Sequence, residues 1–272
     1  MLRSSAILFD MDGVLANVGS SYREAIIKTA GHFGVNINQN DISEEKQKGN
    51  ANNDWILSKK LIDSRIKGTV SPSLEEVTSK FEEIYQGTAT KKGLCENESL
   101  IPSKGLLIEL HKRCNGKVAI VTGRPRKDCN KFLRTHGLTE LFPIAICMED
   151  APAKPDPKPI ILACEKLGID PKFCVMIGDT PDDIRSAVSA GSTPIGVLTP
   201  EEDARIVLGL TDISQGISKS MTDCGAIKVI KAGLNELLDL TIQPYVNFRS
   251  QRVGDVFRQT KETSISASVV EI

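Results

Sequence analysis

Short apolar runs recur along the chain: "AILF" at 6–9, "KVAIV" at 117–121, "PIAIC" at 143–147, "FCVMI" at 173–177, "PIGVL" at 194–198 and "AIKVI" at 226–230. They are continuous and rich in β-branched residues, as strands buried on both faces must be. Helix-period segments alternate with them: "KGLLIELHKRC" at 104–114, "RKDCNKFLRTHG" at 126–137, "KPIILACEKLG" at 158–168, "DDIRSAVSAG" at 182–191 and "LNELLDL" at 234–240. Several close on glycine, the residue that ends a helix at least cost. The repeated order strand, helix, strand predicts an α/β fold, a Rossmann-like doubly wound parallel sheet with helices on both faces.

Residues 18–98 break this pattern. They hold "YREAIIKTAGHFG", "DWILSKKLIDSRI" and "LEEVTSKFEEIYQG", in which Leu74, Val77, Phe81 and Ile84 form one apolar stripe. No strand run is visible there. A small α-helical domain inserted after the first strand is expected over 18–98, with 1–17 and 99–240 forming the α/β core. The chain closes on "RVGDVFRQTKETSISASVVEI", polar at first and then alternating through Ile265, Ala267 and Val269 as a strand with one buried face does. Residues 241–272 are read as linker and tail, with the tail expected to be poorly ordered or paired with a sheet edge.

Composition narrows the options. At 272 residues and 40% hydrophobic, the chain can bury one large core or one core and a smaller domain. A net charge of −1 gives no global pull toward nucleic acid or anionic membrane. No apolar run approaches the ~18 residues a membrane span needs, and the apolar part of "MLRSSAILFD" is too short for a signal peptide. A soluble, cytoplasmic protein is expected, with an organelle reached after loss of a targeting segment as the alternative. The seven cysteines are odd in number and include no CxxC pair, which disfavours a zinc or disulfide framework.

The candidate chemistry lies where strands end, the edge at which open α/β sheets bind ligands. Asp10 and Asp12 follow the first run, spaced i and i+2 so that both carboxylates leave an extended chain on one side. Thr122 and Gly123 follow the second, before Pro125 opens a helix, and offer a hydroxyl and free amides to an anion. Lys154 lies in the proline-rich "APAKPDPKP". Asp179 follows the "FCVMI" strand, and Asp183 stands one turn into the next helix. Taken singly, each has an ordinary reading: a turn acid, an N-cap, a solvated lysine, an acid favoured by the helix dipole.

Together, in the order Asp-x-Asp, Thr, Lys, Gly-Asp-x-x-x-Asp, they resemble the signature of the haloacid dehalogenase superfamily of phosphohydrolases over about 5–240, with no motif position altered. The resemblance implies that Asp10 is a nucleophile forming an aspartyl-phosphate. Asp12 would protonate the leaving oxygen and then activate water. Mg²⁺ would be held by carboxylates of Asp10 and Asp179 and the backbone carbonyl of Asp12, with Asp183 orienting metal waters or Lys154. Thr122, Gly123 and Lys154 would hold the phosphoryl oxygens.

The acid at Asp12 points to phosphoryl transfer, because dehalogenase members of the superfamily lack it. The helical insert is similar to the superfamily's first cap class, which closes over small soluble substrates. A small phosphorylated metabolite is therefore the expected partner, with a phosphomutase or a non-catalytic fusion domain as the competing readings. Substrate contacts are sought in Asn50, Asn52, Asn53 and Trp55 of the insert and in Arg124. The competing reading is a helix N-cap and a packing tryptophan, and Arg124 and Arg126 would simply be solvated.

The tail resembles the opening strand of imidazoleglycerol-phosphate dehydratase, an enzyme of histidine biosynthesis, through Arg252, Val256, Arg258, Thr260, Lys261, Glu262, Thr263 and Ile265. That family's metal site needs histidine-rich motifs, and this chain has three histidines, all in the phosphatase-like part. The expectation is the stub of a fused dehydratase domain, which brings histidinol phosphate into view as a substrate. Against that substrate, the phosphatase modules of such fusions resemble a branch with a zinc-binding cysteine loop and no large helical cap.

Overall fold

The computed structural model describes residues 6–49, 51–68, 70–210 and 215–239, together with the backbone of two strands in the tail. β1 (Ala6–Phe9) opens the chain and leads through a turn to β2 (Ala16–Asn17). Four helices follow: α1 (Tyr22–His32), α2 (Gln39–Lys48), α3 (Asp54–Asp63) and α4 (Leu74–Gln86). β3 (Gly87–Thr88) and β4 (Lys91–Lys92) make a small antiparallel ribbon, and a 3₁₀ turn (Leu94–Asn97) leads to β5 (Ser99–Leu100). β2 and β5 pair antiparallel, Ala16 with Leu100 and Asn17 with Ser99, so the two crossings into and out of the insert are tied together. The expectation of no strand within 18–98 thus missed one ribbon, too short to show any periodicity.

The rest alternates as the apolar runs predict: α5 (Lys104–Arg113), β6 (Val118–Val121), α6 (Arg126–Thr135), β7 (Ala145–Ile146), α7 (Lys158–Leu167), β8 (Cys174–Gly178), α8 (Pro181–Ala190) and β9 (Thr193–Val197). α9 (Pro200–Val207), α10 (Gly216–Asp223) and β10 (Lys228–Ile230) complete it. All six long runs join one parallel sheet in the order β10-β9-β8-β1-β6-β7. The order reverses at β1, which pairs with β6 on one side and β8 on the other. The segment expected as a closing helix is a 3₁₀ turn (Asn235–Asp239) that still buries Leu237.

β1 shows why these runs are continuous. Ile7 and Phe9 face one apolar layer with Val118, Ile120, Val175 and Ile177. Ala6 and Leu8 face the other, with Ala119, Val121 and Met176 packed against Ile160, Ala163 and Cys164 of α7. Both faces are covered, so neither can be polar. Cys114, Cys129, Cys147, Cys164 and Cys174 are buried, and all seven cysteines are free thiols.

In the insert, α1 packs on α3 and α4. α4 starts at a reciprocal cap: the Ser73 hydroxyl accepts from the Glu76 amide at 3.2 Å, and Glu76 accepts from the Ser73 amide at 2.7 Å. Its buried stripe is Val77, Phe81 and Tyr85, while Leu74 is 45% exposed and Ile84 only packs at the margin. This shifts the expected stripe, because the phenolic ring of Tyr85 buries despite its polar tip.

The tail holds β11 (Val253–Gln259) and β12 (Ser264–Val270), which pair antiparallel with each other, Val256 opposite Ala267. They form a sheet of their own and do not extend the six-stranded one, which corrects the expected edge pairing. The sequence pattern exposes only the second strand, since 253–259 carries no clean alternation. The expected linker at 241–252 lies outside the described residues. No helix among the described residues is long and apolar enough to cross a membrane.

Candidate active site

The parallel registers fix where the side chains leave the sheet. Phe9 stands opposite Ile120 and Ile177, so Asp10, Thr122 and Asp179 emerge at one edge. The Asp10 amide donates to the Ile177 carbonyl at 2.9 Å and the Thr122 amide to the Ile146 carbonyl at 2.9 Å, which extends the ladder to this edge. Lys154, 4% exposed, enters from the β7–α7 connection and donates to Asp10 Oδ1 at 2.8 Å and to the Val121 carbonyl at 3.1 Å. The same ammonium touches Asp183 Oδ1. Asp183 Oδ2 accepts from the Thr180 hydroxyl at 2.6 Å and amide at 3.1 Å, in the cap that begins α8. Asp183 therefore meets Lys154 with one oxygen and the helix start with the other.

Carboxylate oxygens of Asp10, Asp179 and Asp183 all lie within 4.8 Å of one another. Two of these three acids, Asp10 and Asp183, pair with Lys154. Burial above all pushes Asp10 up to about 7; Lys154 opposes the shift, while Asp183 and Asp12 add to it. Asp179 is raised well above the usual carboxylate range by burial and then by Asp10 and Asp183. Burial would depress Lys154, but the charges of Asp10 and Asp183 hold its ammonium above its ordinary value. A hard cation with oxygen ligands would balance this cluster, so the residues fit a divalent metal.

Asp12 faces the other way. Its Oδ1 accepts from Arg124 Nε at 2.7 Å and lies 2.5 Å from Nη2 as an ion pair, and it lines a small cleft with Tyr22, Asn52, Trp55, Gly123 and Met148 between sheet edge and insert. Gly13 follows with φ of +77°, and a Cβ there would come within 2.3 Å of Asp179 Oδ2. Only glycine allows the loop to pass so close to the acid cluster.

The insert reaches this edge through the loop before α3. The Asn52 amide donates to the Lys154 carbonyl at 2.9 Å and to Asp182 Oδ2 at 3.0 Å. The Asn52 carbonyl sits 2.7 Å from where a Cβ on Gly123 would stand, so Gly123 is needed for the insert to close. Asn53 caps α3 instead, accepting from the amides of Trp55 at 3.0 Å and Ile56 at 3.1 Å. The Trp55 indole donates to Glu82 at 3.0 Å. Asn50 lies outside the described residues.

Arg124 corrects the expectation of a solvated arginine. It is 2% exposed, because Asp12 and a further acid, Glu98, pair with it inside the protein. Arg126 does reach solvent and pairs with Asp150. Glu98 escaped the sequence reading, since one acid at the end of a helical insert carries no periodic signal. Asp182 was missed for a related reason: beside Asp183 at a helix start it reads as a dipole acid. Arg23 and Lys46 were also passed over, although they share a second cleft with Asp179 and Thr199.

Comparison with known proteins places these features in context. A family model described as haloacid dehalogenase-like hydrolase matches residues 5–191. A protein of Phytophthora nicotianae named imidazoleglycerol-phosphate dehydratase is 49% identical over 97% of this chain, and the chain spans 60% of that protein's length. A phosphoglycolate phosphatase of Haemophilus influenzae is 30% identical over 46% of this chain and 54% of its own. The crystal structure of a predicted phosphoglycolate phosphatase from Haemophilus somnus superposes with a TM-score of 0.66 at 22% identity, covering 88% of this chain and 98% of that one.

Proposed function

The chain belongs to the haloacid dehalogenase-like hydrolases, and on that premise we propose that it is a Mg²⁺-dependent phosphatase of a small phosphomonoester. The observation that carries this reading is the convergence of Asp10, Lys154, Asp179 and Asp183 at one sheet edge, with Asp12 in the adjoining cleft.

Mg²⁺ would be held by the carboxylates of Asp10 and Asp179 and the carbonyl of Asp12, and it supplies positive charge against which a phosphate dianion can approach. Asp10 attacks phosphorus, forming an Oδ–P bond as the bond from phosphorus to the leaving oxygen breaks. Asp12 gives its proton to that oxygen. Asp12 then takes a proton from the water that attacks the aspartyl-phosphate, which regenerates Asp10 and releases phosphate. Thr122, Gly123 and Lys154 hold the phosphoryl oxygens throughout. The Thr122 hydroxyl accepts from the Arg124 amide at 3.2 Å, so its own proton is available to phosphate.

The helical insert serves as a cap that excludes water from this exchange. Its loop touches Lys154 and Gly123 directly, which favours a small substrate. The tail and the Phytophthora relative support a module joined to a dehydratase in a longer polypeptide, with histidinol phosphate as the substrate to try first.

A panel of phosphomonoesters with Mg²⁺, comparing wild type with Asp10→Asn, tests the reading. Phosphate release lost in the variant supports it, and equal release in both overturns it. Dependence on a hexose bisphosphate with little net phosphate release would mark a phosphomutase instead.

A further inference from the structure

Among the fully buried side chains of the described residues, Arg124 is the largest by volume, and it is charged. Taking a guanidinium out of water costs several kcal/mol unless its donors are matched. Here Nε and Nη1 are matched, on two sides. Nε and Nη2 both meet Asp12 Oδ1, at 2.7 and 2.5 Å, and Nη1 donates to Glu98 Oε2 at 2.8 Å. The guanidinium also lies 4.8 Å from the ring centre of Tyr22 and 5.5 Å from that of Phe132, within cation–π range of both.

The two acids belong to different parts of the chain. Asp12 follows β1. Glu98 lies just before β5, where the chain returns from the insert, and its side chain is 4% exposed. Its other oxygen, Oε1, accepts from the Ser21 hydroxyl and the Tyr85 hydroxyl, each at 2.9 Å. Ser21 precedes α1 and Tyr85 lies in the last turn of α4. A single buried relay therefore runs from the insert through Glu98 and Arg124 to Asp12.

We propose that Arg124 is a positioning residue for Asp12, and that Glu98 makes this positioning depend on the docked position of the helical insert. Both guanidinium contacts fall on Oδ1, and Oδ2 has no partner among the described residues. An N–H donating into Oδ1 keeps a proton off that oxygen, so the transferable proton sits on Oδ2. Arg124 thereby selects which oxygen meets the leaving group. In the step itself the Oδ2–H bond breaks, the phosphorus–oxygen bond breaks, and the proton ends on the departing alcohol. The inference rests on the general-acid reading of Asp12 given above.

Leaving-group dependence separates positioning from structural support. Nitrophenolate departs without a proton, whereas an alkoxide needs one. The ratio of kcat/KM for glycerol phosphate to kcat/KM for p-nitrophenyl phosphate is measured in one sample, so any inactive fraction cancels. It also reports only steps up to leaving-group departure. Arg124→Gln and Glu98→Gln are each expected to lower this ratio about tenfold or more, the scale of misplacing a general acid. Arg124→Lys should recover part of the loss, since it restores one donor to Oδ1.

Asp12→Asn serves as the reference. If it lowers the ratio while Arg124→Gln and Glu98→Gln leave it unchanged, the positioning role is refuted and the general-acid reading stands. If Asp12→Asn itself leaves the ratio unchanged, the general-acid reading fails and the inference falls with it. Should Arg124→Gln not fold, Glu98→Gln, which keeps the shape and loses only the charge, decides the matter.

Discussion

Lys154 donates to Asp10 Oδ1 at 2.8 Å and touches Asp183 with the same ammonium, so one buried cation serves two buried acids. Removing it strands both. Lys154→Met is expected to lower kcat/KM by roughly 10²–10³, the scale of losing one preorganised charge at a phosphoryl group. It should also destabilise the metal-free protein at pH 8 by about 3–5 kcal/mol, since it breaks a buried pair from one side. At pH 5 that penalty should shrink, because Asp10 can then take up a proton. Chemical denaturation at the two pH values checks the difference.

The acid cluster gives the metal-free wild type a pH-dependent stability of definite sign. Asp10 is raised from 3.8 to about 7, chiefly by burial, and Asp179 is raised as well. An acid with a higher pKa folded than unfolded binds more protons in the folded state between the two values. Stability is therefore fully present below about pH 4 for this group and is lost as pH climbs through 7. Asp10 alone contributes roughly 4 kcal/mol at most to that fall. Melting curves in chelator should decline from pH 5 to 7 and flatten above, with Mg²⁺ raising the melting temperature more at pH 8 than at pH 5. A flat metal-free profile would contradict the charge crowding described here.

Gly13 links the loop after Asp10 to Asp179. At φ of +77°, alanine is strained by about 1–3 kcal/mol. Its Cβ would also stand 2.3 Å from Asp179 Oδ2 and push that carboxylate away. Gly13→Ala should thus lose Mg²⁺ affinity by tenfold or more in addition to stability. Titrating Mg²⁺ against the melting temperature separates the two effects, because strain alone would leave the midpoint of the titration in place.

β1, β6 and β8 were legible because both of their faces are buried, which turns each into an uninterrupted apolar run. Asp10, Thr122 and Asp179 were legible because they sit where those runs stop, and Lys154 because it stands in the proline-rich loop that follows the run at 143–147. α2 was not: Ile42 is its only buried residue, so it carries no stripe, and it owes its start to the cap formed by Asn38 and Asp41. Arg124 and Glu98 were misread or missed for a deeper reason. Sequence shows charge but not burial, and these two residues are buried as partners of each other, with Asp12, Ser21 and Tyr85 completing the network. The second tail strand shows in its alternation, whereas the first, from Val253 to Gln259, is defined only by its partner.

Asn52 and Asn53 are adjacent amides with separable tasks. Asn52 bridges the insert to the core through the Lys154 carbonyl and Asp182, while Asn53 is spent on the first turn of α3. Asn52→Ala removes two hydrogen bonds worth about 0.5–1.5 kcal/mol each that exist only when the insert is docked. Its KM should rise about fivefold to thirtyfold, with the melting temperature lower by a few degrees. Asn53→Ala loses an N-cap, so stability should drop by about 1 kcal/mol with KM within twofold of wild type. Steady-state kinetics and thermal melts on the pair check this division. The opposite assignment, with Asn53 controlling KM, would mean that the loop before α3 meets substrate in an arrangement different from the one seen here.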